Sequence, residues 1–514
     1  MHLLSGSVFF SYRFAPYIFI AILMLYVICN LYDVKPGIYI DRFVEDEAEE
    51  EHPSFPVKFL ADLEANGKRC NLLPGFFDIK HRNVLWQEAQ IGASMFLLFS
   101  AFMDYRDEKE GPLVRILAMV DSDWPAMPTC HLYFSSDANR APVATKAIRV
   151  ELIHWQTPKQ GEWHPYLITC RGGSQNNSAK VVSLVSYPCS NPSNALRIIN
   201  SYKTSKPKGR SEKKKKLALC HKFLFNSAQD YSYRIIEWLE IAKTFGIDVV
   251  TMYMLSAHPN VKKVLNYYEK TGLVKVIQWT NPGDQLNVPS LLRSLYDTQN
   301  CLLRHISSHD YVGVWDMDEF MIPIEANSIP EMIENALDNW KVLHHGQEMA
   351  NYPTSYLART SYFLDENTDP EFIEEQFEQT LNLTSFNEFK DSGINLDKMS
   401  TYFPFLSHTI RTTKFSPSKV FTKSVHDTSR ALALHAHYAL YNLEGPIDRE
   451  KDLYELCPQT EGFIGHFRSK CQGENQIDCD LNFRSDLEED RSLWMYSYDI
   501  IYNTLNTIKE LQLF

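Results

Sequence analysis

The chain has 514 residues, 44% of them hydrophobic and 22% charged, a balance that excludes a disordered or low-complexity protein. Its 51 Lys and Arg against 64 Asp and Glu leave a net charge of -13, which argues against generic binding to nucleic acid. The length accommodates two or three domains of ordinary size.

Residues 1–13 read as a cytosolic tail. Residues 14–32, "FAPYIFIAILMLYVICNLY", carry no charge. At ~1.5 Å of rise per residue this stretch is about long enough to cross a hydrocarbon core of ~30 Å. A cleaved signal peptide would have a shorter apolar stretch followed by small residues, whereas "CNLYD" follows here. The flanking bases Arg13, Lys35 and Arg42 do not fix the orientation. Residues 33–82 read as a stem, with six acids in the seven residues 45–51 and then "HPSFP".

Of ten cysteines, nine lie beyond the span, and none of the nine has CxxC or other zinc spacing, so disulfides in an oxidising lumen are expected. The odd number leaves at least one thiol unpaired or intermolecular. Sequons at Asn176 and Asn382 point the same way. Together these features predict a single-pass protein with a short cytosolic tail and a large lumenal part.

Residues 83–200 hold five apolar runs, "SMFLLFSAF", "LVRILAMVD", "HLYFSS", "AIRVELIHW" and "KVVSLVSY", separated by Gly, Pro, Asp and Asn. They predict an antiparallel β-rich domain. A basic linker, 201–216, follows.

From Leu217 the hydrophobic period alternates. Strands are predicted at 217–225, 247–255, 273–279 and 311–315. Between them run helices with inward faces Ile235, Leu239, Ala242 and Phe245, then Val261, Val264, Leu265 and Tyr268, then Leu291, Leu295, Leu302 and Ile306. Gly246 and Gly272 are expected to end the first two, and Ser290 to cap the third. Strands apolar throughout, alternating with helices, predict an α/β domain with a doubly wound parallel sheet, assigned to residues 217–470 with a C-terminal extension at 471–514.

Ligands of such sheets bind beyond the carboxyl ends of the strands. There the fourth strand runs into "YVGVWDMDEFMIP", residues 311–323. In an extended segment Asp316 and Asp318 would project together, with Met317 turned to the core. Two adjacent carboxylates suit Mn²⁺ or Mg²⁺, which keep positions open for the oxygens of a diphosphate. An aspartyl phosphatase would carry its D-x-D after the first strand and follow it with small residues or Thr. Here Glu319 and Phe320 follow. His435 and His437 share one face of "LALHAHYAL", and either can serve as a third ligand.

The segments "CHKFLF", "RIIEWLEIAKTFGIDVVTMY", "VLNYYEKTGLVKVIQW", "NCLLRH" and "YVGVWDMDEFMIP" resemble glycosyltransferase family 92, over roughly residues 83–470. That resemblance implies a GT-A type nucleotide-binding fold and a Golgi membrane protein of type II, anchored by one N-terminal helix. It also implies an inverting, metal-dependent transfer of galactose from UDP-galactose to glycan acceptors of glycoproteins or glycolipids. "KFSPSKVFTKSVH" and "HAHYAL" are similar to later landmarks of the family. Carried over, the resemblance makes Asp316, Asp318 and His437 the metal ligands, and Asp316, Asp318, Glu319 and Lys414 the donor-binding residues. Lys414 reads equally well as a surface lysine. Ala439 stands where members often have Arg, and the acidic insert at 366–398 does not align. A catalytic base is required, and Asp365, Glu366, Asp391 and Asp448 are all candidates. The rival reading is a membrane-anchored carbohydrate-binding or scaffolding protein that kept the fold and lost turnover.

Overall fold

The computed structural model describes residues 73–513 apart from 135–140, 154–161, 175–176, 189, 200–213, 284–289, 345–351, 369, 397–398 and 469–485. The apolar stretch 14–32, the stem as far as residue 72, Asn176 and most of the basic linker lie outside these residues, whereas residues 73–82 of the expected stem are described and bury Leu73 and Ile79. No helix among the described residues is long and apolar enough to cross a membrane. The chain divides into units 1–50 and 51–514, and everything described belongs to the second.

The β-rich segment forms a nine-stranded sheet where five apolar runs predict five strands. Its order is Val143–Lys146, Thr129–Tyr133, Val181–Val185, Leu196–Ile199, Ser94–Asp104, Leu113–Val120, His164–Arg171 and Arg149–Leu152, with Gln87–Ile91 also paired to Ser94–Asp104. All neighbours are antiparallel except Leu196–Ile199 beside Ser94–Asp104. The additional strands are short or carry polar and proline residues, as in "HPYLITCR", so apolar runs alone do not mark them. Phe96, Ile116 and Ile168 share one core with Cys130, Leu132 and Leu184. The Cys130–Cys170 disulfide ties the two halves of the sheet together.

The second half opens with the predicted alternation: β1 (Leu217–Leu224), α1 (Ser232–Thr244), β2 (Ile247–Met254), α2 (Pro259–Thr271), β3 (Val274–Gln278), α3 (Ser290–His305) and β4 (Tyr311–Val314). These strands run parallel in the order β3-β2-β1-β4. Gly246 and Gly272 each take φ of 83°, the left-handed conformation that ends a helix and favours glycine. The chain continues through β5 (Glu319–Pro323), α4 (Ile329–Leu343), β6 (Ser355–Ala358), β7 (Thr360–Leu364), α5 (Pro370–Thr380), α6 (Leu383–Asp391), β8 (Lys423–Asp427), β9 (Leu453–Glu455), β10 (Gly462–Arg468) and α7 (Ser497–Leu511). Strand β8 adds antiparallel to β4, then β6 and β9 follow, making a seven-stranded sheet. Strands β5, β10 and β7 form a smaller sheet, in that order.

The large sheet is covered on both faces, as its continuous apolar strands require. Leu217, Leu219, Val250 and Met252 point to the face under α1 and α2. Ile500, Ile501, Leu505 and Ile508 of α7 join that same core, so this helix of the C-terminal stretch belongs to the α/β half. Ala218, Cys220, Tyr253 and Ile277 point to the opposite face, where Leu302 of α3 and Ile306 just past its end meet them. The Cys220–Cys301 disulfide joins β1 to α3.

The β-rich sheet packs against this second face. Trp86 and Phe99 from it pack with Trp279 and Tyr296 at ring-centroid distances of 5.1 to 5.7 Å. The polar tips of these rings find backbone partners across the junction: Trp86 Nε1 donates to the Thr280 carbonyl at 2.9 Å, and the Tyr296 hydroxyl to the Leu117 carbonyl at 3.0 Å. A second tie is Arg106, gripped by Asp104 at 2.8 and 2.9 Å, which donates to the Thr428 and Ala431 carbonyls at 2.6 and 2.7 Å. Burial alone would raise the Asp104 carboxyl, but Arg106 and Arg115 outweigh it and hold it below the usual range. Trp86→Ala removes the centre of the aromatic cluster and should cost about 3–5 kcal/mol of stability, read as a lower denaturant midpoint.

Candidate active site

The site lies where β4 ends. Gly313 leaves room for the buried Trp315 ring, since a Cβ there would lie 2.4 Å from it. Past Trp315 the chain turns instead of staying extended: the Glu319 N–H donates to the Asp316 carbonyl at 3.1 Å, and Glu319 opens β5. The expectation of two parallel carboxylates is therefore corrected. In a turn, side chains two apart lose their common direction, and Asp316 and Asp318 meet different partners. Met317 lines the cavity with them.

Asp316 faces two ammonium groups, Lys222 at 2.9 Å and Lys423 at 3.0 Å. Lys423 also meets Glu319 at 2.7 Å, and Glu319 accepts from the Asp316 N–H at 3.0 Å. Lys423 and Glu319 are nearly inaccessible, with side chains 7% and 4% exposed. Burial would raise the Asp316 carboxyl, but the charges of Lys423 and Lys222 hold it far below its usual range. Burial would lower the Lys423 ammonium, but Asp316 and Glu319 hold it above its usual range.

Asp318, 40% exposed, points instead to His466, with Oδ2 to Nε2 at 3.1 Å. Sequence reasoning did not single out His466. It stands on β10 directly opposite Glu319 of β5, with Nδ1 3.5 Å from that carboxylate, and its ring stacks on Tyr362 of β7 at 5.5 Å. A partnership across 148 residues has no local signal in "GFIGHFR".

The other singled-out residues lie apart. His437 directs its Nδ1 at the Thr422 carbonyl, and its own carbonyl accepts from the Ser424 hydroxyl. The structure thus ties it to the two residues flanking Lys423 rather than to either aspartate. Burial pushes the His437 imidazole down and His435 to about 3. Lys414 pairs with Asp486 at 3.3 Å, both more than half exposed, and is not among the residues lining the cavity.

Asp316 and Asp318 line a cavity of about 560 Å³, with Lys222, Arg234 and Arg468 on its walls. Its size suits a small-molecule ligand. Arg234 is fixed by its contact with the Phe405 ring at 4.7 Å and by a bond to the Phe467 carbonyl at 3.2 Å. Among the described residues no three His, Cys, Asp or Glu side chains form a metal-holding group. Asp318 and His466 nonetheless present an oxygen and a nitrogen side by side, which fits a cation that takes its remaining ligands from phosphate oxygens and water.

Residues 215–505 match the sequence pattern of Glycosyltransferase family 92, more than half of the chain, and the protein belongs to that family. No curated protein matches its sequence. Two solved structures align with part of it. One, a mycobacterial protein, is 10% identical, covering 31% of this chain and 47% of its own at a TM-score of 0.17. The other, glucosyl-3-phosphoglycerate synthase from Mycobacterium tuberculosis in complex with phosphoglyceric acid, is 10% identical, covering 31% and 50% at 0.16. The chain thus spans about half the length of these structures.

Lys423→Ala strands the buried carboxylate of Glu319, leaves Asp316 with Lys222 alone, and should cost about 3–5 kcal/mol of stability. Because Lys423 is raised and Asp316 lowered, the stabilisation is complete between their unfolded values, from about pH 4 to about pH 10. It fades as pH falls through the folded Asp316 value or rises through that of Lys423, so the difference between wild type and variant should be flat across neutral pH in denaturation curves.

Proposed function

We propose that the protein is a metal-dependent inverting glycosyltransferase that moves galactose from UDP-galactose onto a glycan of glycoproteins or glycolipids. The observation that carries this reading is the Asp318–His466 pair in a cavity walled by Lys222, Arg234 and Arg468, at the carboxyl edge of a parallel sheet. Asp318 and His466 would hold Mn²⁺ or Mg²⁺. When bound, the ion would supply Lewis acidity to a departing diphosphate. The cationic side chains favour a nucleoside diphosphate in the same space, and Lys222 is free of the deeper core to meet a phosphate, being 38% exposed. Lys423 has a different task. Enclosed with Glu319 and paired with Asp316 at the cavity wall, it fixes the turn that aims Asp318 outward. Family membership supports the choice of a sugar donor and a glycan acceptor.

UDP release from a panel of nucleotide sugars should be fastest with UDP-galactose, should stop in EDTA and return with Mn²⁺. Asp318→Ala and His466→Ala should each lower it by at least about 100-fold, on the scale of lost transition-state charge stabilisation. A folded protein that binds neither UDP nor Mn²⁺ would favour the carbohydrate-binding reading.

The proposal extends to place: a Golgi membrane protein of type II, anchored by residues 14–32 with the catalytic part in the lumen. Two disulfides among the described cysteines support an oxidising compartment. So does the Asn382 sequon, whose Asn382 and Thr384 are exposed at the start of α6. The protein from animal cells should shift on an endoglycosidase gel, and the shift should shrink in Asn382→Gln.

A further inference from the structure

The cavity has a third carboxylate on its wall. Besides Asp316 and Asp318, Asp365 is the one acidic side chain among the described residues that lines it. The other carboxylates that a base could be drawn from do not. Asp391 is exposed at the far end of α6, and Asp448 accepts from the Glu450 N–H and faces Lys451. Glu366, the neighbour of Asp365, does not line the cavity either. Glu319 is closed in by Lys423 and His466.

Asp365 is also built into its place. It begins a single 3-10 turn directly after β7, the strand beside His466, so the small sheet carries it to the cavity. Its Oδ1 is 3.0 Å from His408 Nε2, and the His408 side chain is 5% exposed against 51% for Asp365. The other ring nitrogen, Nδ1, lies 2.7 Å from the Pro404 carbonyl. The imidazole is thus held between two fixed partners. One oxygen of Asp365 is thereby engaged and the other remains for a ligand. The segment that presents His408 is itself anchored: the Phe405 and Leu406 N–H groups donate to the two carboxylate oxygens of the buried Glu237 at 2.8 and 2.9 Å.

We infer that Asp365 is the general base of the transfer, with His408 as its positioning residue. This rests on the transferase reading above. The acceptor hydroxyl gives its proton to the free oxygen of Asp365 as its oxygen bonds to the anomeric carbon. The bond from that carbon to the diphosphate breaks, its electron pair leaves with UDP, and Asp365 afterwards returns the proton to water. The hydrogen bond from His408 comes first among the causes that hold Asp365 below the usual carboxylate range, with burial opposing it and Arg234 assisting. A carboxylate so held stays ionised at neutral pH. His408 contacts it directly, and the titratable and charged groups that share its cavity are Arg234, Arg468, Lys222, His221, Tyr231, Asp316 and Asp318.

The test uses the full-length protein with Mn²⁺, UDP as the binding probe, and UDP-galactose with pooled N-glycans as the turnover probe. Asp365→Asn should bind UDP within about two-fold of wild type and lower turnover about 100-fold or more, the scale of a lost general base. His408→Ala should bind UDP normally, lose about ten-fold in turnover, and move the acid limb of the pH profile to higher pH, because a carboxyl no longer held down titrates later. A purely structural role for His408 would leave that limb where it is. Asp365→Asn turning over within about three-fold of wild type would overturn the assignment, as would its loss of UDP binding in a variant that melts like wild type. If wild type binds UDP yet releases none from any nucleotide sugar, the transferase reading fails, and the base falls with it. Loss confined to Asp365→Asn, with Asp318→Ala failing already at UDP binding, separates the two roles.

Discussion

The arrangement around the cavity depends on one enclosed ammonium group. Lys423 places a positive charge where water cannot reach it, and such a charge persists only if carboxylates surround it. Asp316 and Glu319 meet that need, and in doing so they turn the chain after β4. Asp316 is drawn inward and Asp318, two residues on, is left facing the opening. The acidic segment is thus divided into a structural half and an outward half. The sequence motif alone shows three acids in four positions and says nothing about which half is which.

A second layer of support comes from α1. Its Glu237 is fully buried, and burial pushes its carboxyl up to about 8 even though two backbone N–H groups oppose the rise. Trp238, the next residue, donates to the Glu319 carbonyl at 3.2 Å. One turn of one helix therefore steadies both the strand that follows the aspartates and the segment that leads to His408. Phe320, Phe405 and Phe467 pack between these pieces. The polar groups of the cavity thus rest on a tightly packed aromatic floor.

Much of this half was readable from local pattern. The order β1 to β4, the helix ends at Gly246 and Gly272, and the buried faces of α1 and α2 all follow from hydrophobic period and glycine chemistry, which act over a few residues. The position of Asp316 and Asp318 at a strand end followed from the same pattern. What escaped was set by pairings between distant segments. Strands β8, β6 and β9 join the large sheet beyond β4 only after long excursions, and His466 reaches Asp318 through the register of β10 on β5. Lys423 and Lys414 both lie in "KFSPSKVFTKSVH", residues 414–426, and nothing local distinguishes the buried lysine from the exposed one. Asp365 could be named as a candidate and not chosen, since the insert that follows it gave no alignment and the cavity wall is a tertiary fact. The turn at Asp316 escaped for the opposite reason: strand propensity runs through it, and the buried charge overrides propensity.

The junction between the two halves carries a consequence for how the chain is divided. The family pattern begins at residue 215, yet the face of the large sheet bearing Ala218, Cys220, Tyr253 and α3 is closed by Trp86, Phe99 and Leu117 from the β-rich sheet. A fragment cut at that boundary would present Trp279 and Tyr296 to water as a contiguous apolar surface, of the kind that promotes aggregation. The catalytic half is therefore not a portable module. Any truncation, fusion or crystallisation strategy has to treat residues 73 onward as one folding unit, since Leu73 and Ile79 are buried and the Lys80 N–H donates to the Ser193 carbonyl, and comparisons among relatives are best made over the β-rich sheet and the catalytic sheet together.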